Sequence, residues 1–272
     1  MHLLTTYSWI ALEMGKLKFC ANISWLFKDA PLLERYQIAA DAGFLAVEDA
    51  WPYEYDLQDL CEAKDRAKVQ QISINTGCKD TLGNAANVNC LHAFRDDLDL
   101  AIKYANALQC KNIHIMTGKC NKSEDKDKAK EVFIDNLKYA SGLLQSHGLV
   151  GLIEPINTFS VPNYFLTRSV EALEVLKLVN KPNILYQLDF FHLQIMEGNL
   201  SNTLKENFSS IGHIQIAQVP SRHEPGYSGE INFSHIFALL EDLGYSKWIG
   251  CEYLPSTSTA ESLEWLRKYT KE

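Results

Sequence analysis

The chain has 272 residues, 46% hydrophobic and 22% charged, an ordinary globular composition that can bury a core without disulfides. Lys plus Arg total 26 against 34 Asp plus Glu, a net charge of −8, which argues against a phosphate backbone as partner; no nucleic-acid binding is expected. No run approaches the roughly 20 apolar residues that span a bilayer, so no membrane association is expected. The seven cysteines, odd in number and without a CxxC pair, suit a reducing, cytoplasmic setting better than a disulfide scaffold.

Residues 1–16 precede the first strand-like run. They lack the basic start, the long apolar stretch and the cleavage site of a signal peptide, and they carry Glu13 and no arginine, against a presequence. They read as a short N-terminal extension to one domain over residues 17–272. From there, short apolar runs alternate with amphipathic stretches. Strands are predicted at Leu17–Ile23, Ala46–Glu48, Gln71–Asn75, Asn112–Met116, Val150–Glu154, Ile184–Asp189, His213–Ala217 and Trp248–Glu252. Near-continuous apolar runs such as NIHIM, VGLIE and WIGCE suit strands covered on both faces.

Between them, Pro31–Ala42 is predicted helical, with Asp29 as cap, Pro31 in the first turn and Gly43 as terminator. Asp127–His147, Ser169–Val179 and Ser234–Leu243 follow, the first and last closing at Gly148 and Gly244. The charged run Lys122–Lys130 reads as a solvated loop and helix start. The 256 residues from Leu17 onward divide into eight units of 32. Such alternation predicts a parallel α/β fold, and eight units predict a closed (β/α)₈ TIM barrel. An open doubly wound sheet would favour a Gly-rich nucleotide loop after an early strand, and none is present.

Polar residues gather at the C-terminal ends of the later strands, where barrel active sites are built. The fifth strand ends in Glu154, the sixth in Asp189 with His192 just after. The seventh carries Gln215 with Arg222 in the following loop, and the eighth ends in Glu252. Spaced about one unit apart, three carboxylates and an amide oxygen are predicted to converge on the barrel axis, a donor set for a hard divalent cation such as Mg²⁺ or Mn²⁺. A lone strand-end Glu is commonly a solvated rim residue; four such positions in consecutive units are harder to dismiss.

Other residues stay open at this level. His192 is either a substrate contact or a satisfied rim histidine. Arg222 either pairs with Glu224 at the surface or grips an anionic group bidentately. Asn22, Trp25 and Phe27 either line a pocket or belong to the core, and Glu48 is ambiguous. His114 reads as buried and hydrogen-bonded rather than as a ligand. Cys251 points away from the site if Glu252 points in. No P-loop, dinucleotide fingerprint or serine elbow occurs, so no nucleotide cofactor is expected.

At these segments the chain resembles the hydroxypyruvate isomerase family of xylose-isomerase-like barrels. The stretches are FCANISWLF (Phe19–Phe27), AVEDAWPY (Ala46–Tyr53), GLIEPIN (Gly151–Asn157), YFL (Tyr164–Leu166) and QLDFFHLQIMEGNL (Gln187–Leu200). They continue as GHIQIAQVPSRHEPG (Gly212–Gly226), GEINF (Gly229–Phe233) and GCEYLP (Gly250–Pro255). The resemblance covers nearly everything from Leu17 to Tyr269. It implies interconversion of hydroxypyruvate and 2-hydroxy-3-oxopropanoate, a small anionic hydroxy-oxo acid pair of carbohydrate-acid metabolism. It implies Glu154 and Glu252 as the proton-transfer pair, and His192 and Arg222 as substrate contacts. Related barrel isomerases imply a divalent metal on Glu154, Asp189, Gln215 and Glu252.

Two departures bear on substrate and metal. Many family members read NTPPGD where this chain has Asn75-Thr76-Gly77-Cys78-Lys79-Asp80, and several sugar epimerase relatives carry histidine at the position of Gln215. The enzyme rivals are a longer 2-oxo acid isomerase, such as a 2-oxo-tetronate isomerase, and a ketose epimerase. A DNA-repair endonuclease on this fold would want more histidine ligands and a basic face. A catalytically silent binding protein is the non-enzyme rival, opposed by the three converging carboxylates. A homo-oligomer stays open.

Overall fold

The computed structural model describes residues 17–77, 80–120 and 125–270. The expected N-terminal extension lies outside the described residues, as do Cys78 and Lys79 of the altered loop. The strands are β1 (Lys18–Asn22), β2 (Ala46–Glu48), β3 (Gln70–Gln71), β4 (Ser73–Asn75), β5 (Asn112–His114), β6 (Val150–Ile153), β7 (Ile184–Asp189), β8 (Ile211–Ile216) and β9 (Trp248–Cys251). The helices that wrap them are α1 (Leu32–Asp41), α2 (Leu57–Ala67), α3 (Leu91–Leu108), α4 (Lys126–Ser146), α5 (Ser169–Val179), α6 (Phe190–Met196), α7 (Leu200–Asn207) and α8 (Phe233–Asp242). All pairings are parallel, in the order β3-β2-β1-β9-β8-β7-β6-β5-β4.

The ninth strand is a division of the predicted third. Gln70 N–H donates to Leu45 and Ile72 N–H to Val47, the regular parallel rhythm, but Asp49 N–H then donates to Ser73 rather than to Ile72. One residue is therefore extra at Ile72–Ser73, a bulge that splits the strand and tightens local twist. Gln71 faces outward, where its amide oxygen accepts from Tyr36 of α1. Ile72 packs inward against Cys20 and Ala46, and Ser73 lines the inner cavity. The same hydrogen bonds tie β4 to the end of β2, so the ring closes as the predicted eight-fold barrel.

Outside the ring, Phe19 of β1 stands edge-on to Phe237 of α8 and to Trp265, each with ring centroids 5.3 Å apart. Tyr269 packs on Phe237 at 4.7 Å. This aromatic cluster seats α8 and the C-terminal turns against the first strand. Helix entries follow local chemistry: Asp56 accepts from Gln58 N–H, Asp125 from Asp127 and Lys128 N–H, and Asn232 from His235 N–H. The expectation for α1 is corrected in detail. Pro31 is the N-cap itself, in extended geometry with no side-chain cap, and Asp29 does not cap the helix. Gly43, Gly148 and Gly244 take positive φ after α1, α4 and α8, as the sequence predicts. Among the described residues no helix is long and apolar enough to cross a membrane.

Candidate active site

The cavity at the C-terminal mouth holds about 130 Å³ and is walled by Trp25, Trp51, Leu82, Met116, Ile156 and Val161. Its polar residues come from strand ends and the loops just past them, because alternate residues of each strand point to the barrel axis. Glu154 follows β6, Asp189 ends β7, Gln215 lies in β8 and Glu252 follows β9, and all but Asp189 line this cavity directly. Asp189 stands just behind it, with Oδ2 3.5 Å from His192 Nε2 and 3.7 Å from Arg222 Nη2. The sequence-predicted set is therefore gathered in one place.

Asp189 serves two structures at once. Oδ1 accepts from Phe191 N–H at 2.7 Å and caps α6, while Oδ2 is buried without a hydrogen bond. Glu154 accepts at Oε2 from Gln187 Nε2 at 2.9 Å, and His114 Nδ1 lies 3.4 Å from the same oxygen. Glu252 accepts from Arg222 Nη2 at 2.6 Å and from Asn22 Nδ2 at 3.2 Å.

The carboxyls are held protonated more strongly than in water. Burial, then the negative charges of Asp189 and Glu252, push Glu154 well above the usual carboxylate range. Burial pushes Glu252 up to about 8 and Asp189 up to about 6, with Arg222 pulling both back.

The ambiguity over His192 resolves into a defined tautomer. The backbone N–H of Asn157, which can only donate, faces His192 Nδ1 at 3.3 Å, and the Asn157 amide donates to the same atom at 2.6 Å. Nδ1 is therefore the acceptor and Nε2 carries the proton. That N–H points between Asp189 and Glu154, so His192 is a donor to the cavity rather than a lone pair for a metal. Burial lowers its basicity and keeps it neutral.

Arg222 does not pair with Glu224, whose oxygens accept from Ser256 Oγ and N–H. Its guanidinium lies between the rings of Trp25 and Phe191, 4.2 and 4.8 Å from their centroids, with backbone at positive φ. Its Nε is buried without a partner. Trp25 and Asn22 are thus wall residues, whereas Phe27 is core. His114 lines the cavity, and its Nε2 is buried without a hydrogen bond, against the expectation that it would be satisfied. Cys251 packs in the outer core, away from the cavity that Glu252 enters.

Sequence reasoning missed Gln187, the amide that links Glu154 to Gln215, and left Glu48 undecided. Gln187 was reachable. Gln187 stands two residues before Asp189, and His213 two before Gln215, so each shares the inward face of its strand. Glu48 also lines the cavity: Oε1 accepts from Asn22 and Gln215, and Oε2 from His213 at 2.7 Å. Gly250 of β9, on the far side of β1, makes room for it, since a Cβ there would collide with Glu48 Oε1.

A family model described as xylose isomerase-like TIM barrel matches residues 36–269. A Danio rerio relative that carries the hydroxypyruvate isomerase name provisionally is 48% identical over 266 residues, 94% of this chain and 96% of its own. The 2-oxo-tetronate isomerase of Pectobacterium atrosepticum is 43% identical over 252 residues, 91% of this chain and 96% of its own. The hydroxypyruvate isomerase of Escherichia coli (strain K12) is 37% identical over 257 residues, 93% and 99% of the two chains. A crystal structure from Brucella melitensis named AP endonuclease, family 2, superposes with a TM-score of 0.90 at 39% identity, covering 94% of this chain and all of that one. A buried carboxylate cluster at the mouth of such a barrel, with these relatives over nearly the whole chain, makes this protein an isomerase of the hydroxypyruvate isomerase family within the xylose isomerase-like TIM barrels.

Proposed function

We propose that the enzyme interconverts hydroxypyruvate and 2-hydroxy-3-oxopropanoate through an enediolate, with Glu154 and Glu252 as the proton-transfer pair. The observation that carries this is two glutamates of raised pKa, Glu154 buried and Glu252 partly buried, lining one cavity of about 130 Å³ beside the partly buried Arg222. In that reaction the C3–H bond of hydroxypyruvate breaks and its electron pair forms the C2=C3 bond of the enediolate. A C2–H bond then forms, while the hydroxyl proton moves from O3 to O2, so atoms and electrons balance. One carboxylate takes the carbon proton and one carboxyl returns it, which requires groups whose pKa lies nearer neutrality than an exposed glutamate's. Arg222 offers its unpartnered Nε–H to the substrate carboxylate, held in place by the two rings. His192 donates Nε2–H toward a substrate oxygen.

The residues fit a divalent cation, Mg²⁺ or Mn²⁺. Asp189 Oδ2 is buried with no hydrogen bond, and Glu154 and Asp189 offer oxygens within 4.8 Å of each other. Because the His192 nitrogen carries a proton, the ligands we infer are Glu154, Asp189, Gln215 and Glu252. When bound, the cation would supply positive charge where the enediolate develops negative charge. Its binding must displace protons from Asp189 and Glu252, raised to about 6 and about 8. Apparent Mn²⁺ affinity should therefore climb steadily as pH rises through that interval. A titration that gave one affinity across it would contradict the ligand set.

A four-carbon 2-oxo-tetronate is the second reading, supported by the Pectobacterium relative at 43% identity. An endonuclease reading is opposed by the −8 net charge and by a cavity below the roughly 300–1,000 Å³ of drug-sized ligand sites. Assay of C3 to C6 oxo acids and ketoses, with and without chelator, separates these readings; turnover of neutral ketoses alone would end the proposal.

For Arg222→Lys the expected result is a raised KM for anionic substrates, because the stacked planar fork is lost while the charge remains. Unchanged kinetics in both Arg222→Lys and Arg222→Ala would place the substrate carboxylate elsewhere.

A further inference from the structure

Glu48 lines the same cavity and has no part in the proton transfer proposed above, yet it is the acceptor on which the polar interior converges. Its Oε1 accepts from Gln215 Nε2 at 2.8 Å and Asn22 Nδ2 at 3.2 Å, and its Oε2 from His213 Nε2 at 2.7 Å. It is 2% exposed, and Gly250 leaves the space for its carboxylate. The amide of Gln215 lies between this carboxylate and Gln187, which donates in turn to Glu154. Left alone, the negative charge on the Glu154 side would draw the NH₂ end and turn the oxygen away. A carboxylate can only accept, so Glu48 demands the NH₂ end for itself. The amide oxygen then faces the cavity side, where it accepts from Gln187 Nε2 at 2.7 Å and keeps a second lone pair.

We infer that Glu48 is a positioning residue that fixes which end of the Gln215 amide faces the cavity, and thereby makes a neutral glutamine a competent oxygen ligand. This rests on the reading of Gln215 as a cation ligand. It explains how this barrel works with an amide at a place where a histidine would present its own lone pair without such help. What the role requires is an acceptor facing Gln215. A glutamine at position 48 meets that requirement: its carbonyl faces the two amides while its NH₂ faces His213, whose Nε2 accepts in the other tautomer.

The test is Mn²⁺ binding by electron paramagnetic resonance on the intact protein, without substrate, beside a thermal melt of each variant. Gln215→Leu should bind Mn²⁺ more weakly than wild type. Glu48→Leu should weaken binding by about 10–100-fold, the usual effect of losing a residue that orients a ligand. Glu48→Gln should stay close to wild type, a rescue that a merely charged or structural role does not predict. In the Gln215→Leu background, Glu48→Leu should add little, because both changes remove the same ligand.

Wild-type affinity in Glu48→Leu with loss in Gln215→Leu would overturn the inference and leave the ligand set standing. So would a Glu48→Gln as weak as Glu48→Leu. Wild-type affinity in Gln215→Leu would overturn the ligand reading, and the inference with it. If Glu48→Leu melts below the assay temperature, Gly250→Ala takes its place, since its Cβ would displace the Glu48 carboxylate without deleting it. Unchanged Mn²⁺ affinity there would count against the inference.

Discussion

Glu154→Gln and Glu252→Gln should each lower kcat by about 10²-fold or more while the barrel stays folded. The substitution keeps the shape of the side chain and removes its ability to exchange a proton. The losses should not add in the double variant, because either one breaks the same cycle. Exchange in D₂O sharpens the test: wild type should incorporate deuterium at both carbons, and each single variant only at the carbon served by the surviving glutamate. Mn²⁺ affinity, measured alongside, separates loss of proton transfer from loss of a ligand. Near-normal turnover in either folded variant would end the mechanism and leave the fold untouched.

The largest effect on stability is expected at Phe237. Its ring is 1% exposed and packs on Phe19, Phe233, Trp265 and Tyr269 at centroid distances between 4.7 and 5.8 Å. Phe237→Ala leaves a cavity where α8 and the C-terminal turns meet β1, at a cost of about 3–5 kcal/mol. Urea denaturation followed by far-ultraviolet circular dichroism should show the midpoint falling with the slope unchanged. A loss under about 1 kcal/mol would show that the neighbouring rings collapse into the gap.

Most of the barrel was legible because its strands are covered on both faces and read as apolar runs. β2 and β7 match their predicted spans, and α5 matches to the residue. The break at Ile72 was not legible. Gln-Ile-Ser-Ile-Asn alternates as a regular strand, and only pairing with β2 and packing against Cys20 reveal the extra residue. That Glu154, Asp189, Gln215 and Glu252 gather in one place was readable from their one-per-unit rhythm. Their wiring was not. Whether Arg222 meets Glu224 or Glu252 depends on the path of the loop after β8, which local sequence does not specify. Glu48 was undecidable for a different reason: a strand-end glutamate at the rim and one buried inside the barrel look alike until its partners on β1 and β8 are seen.

The bulge at Ile72–Ser73 gives the wall of the barrel a seam. Below it, Ile72 belongs to the packed floor, beside Cys20 and Ala46. Above it, Ser73 and Asn75 form a panel of the cavity wall that is hung one residue out of step. The extra residue turns Ile72 and Ser73 to the same side, so consecutive positions of one strand furnish both the floor and the wall. Lengthening or shortening the chain at that seam would re-aim Ser73 and Asn75, while the carboxylates at the ends of β6, β7 and β9 keep their places.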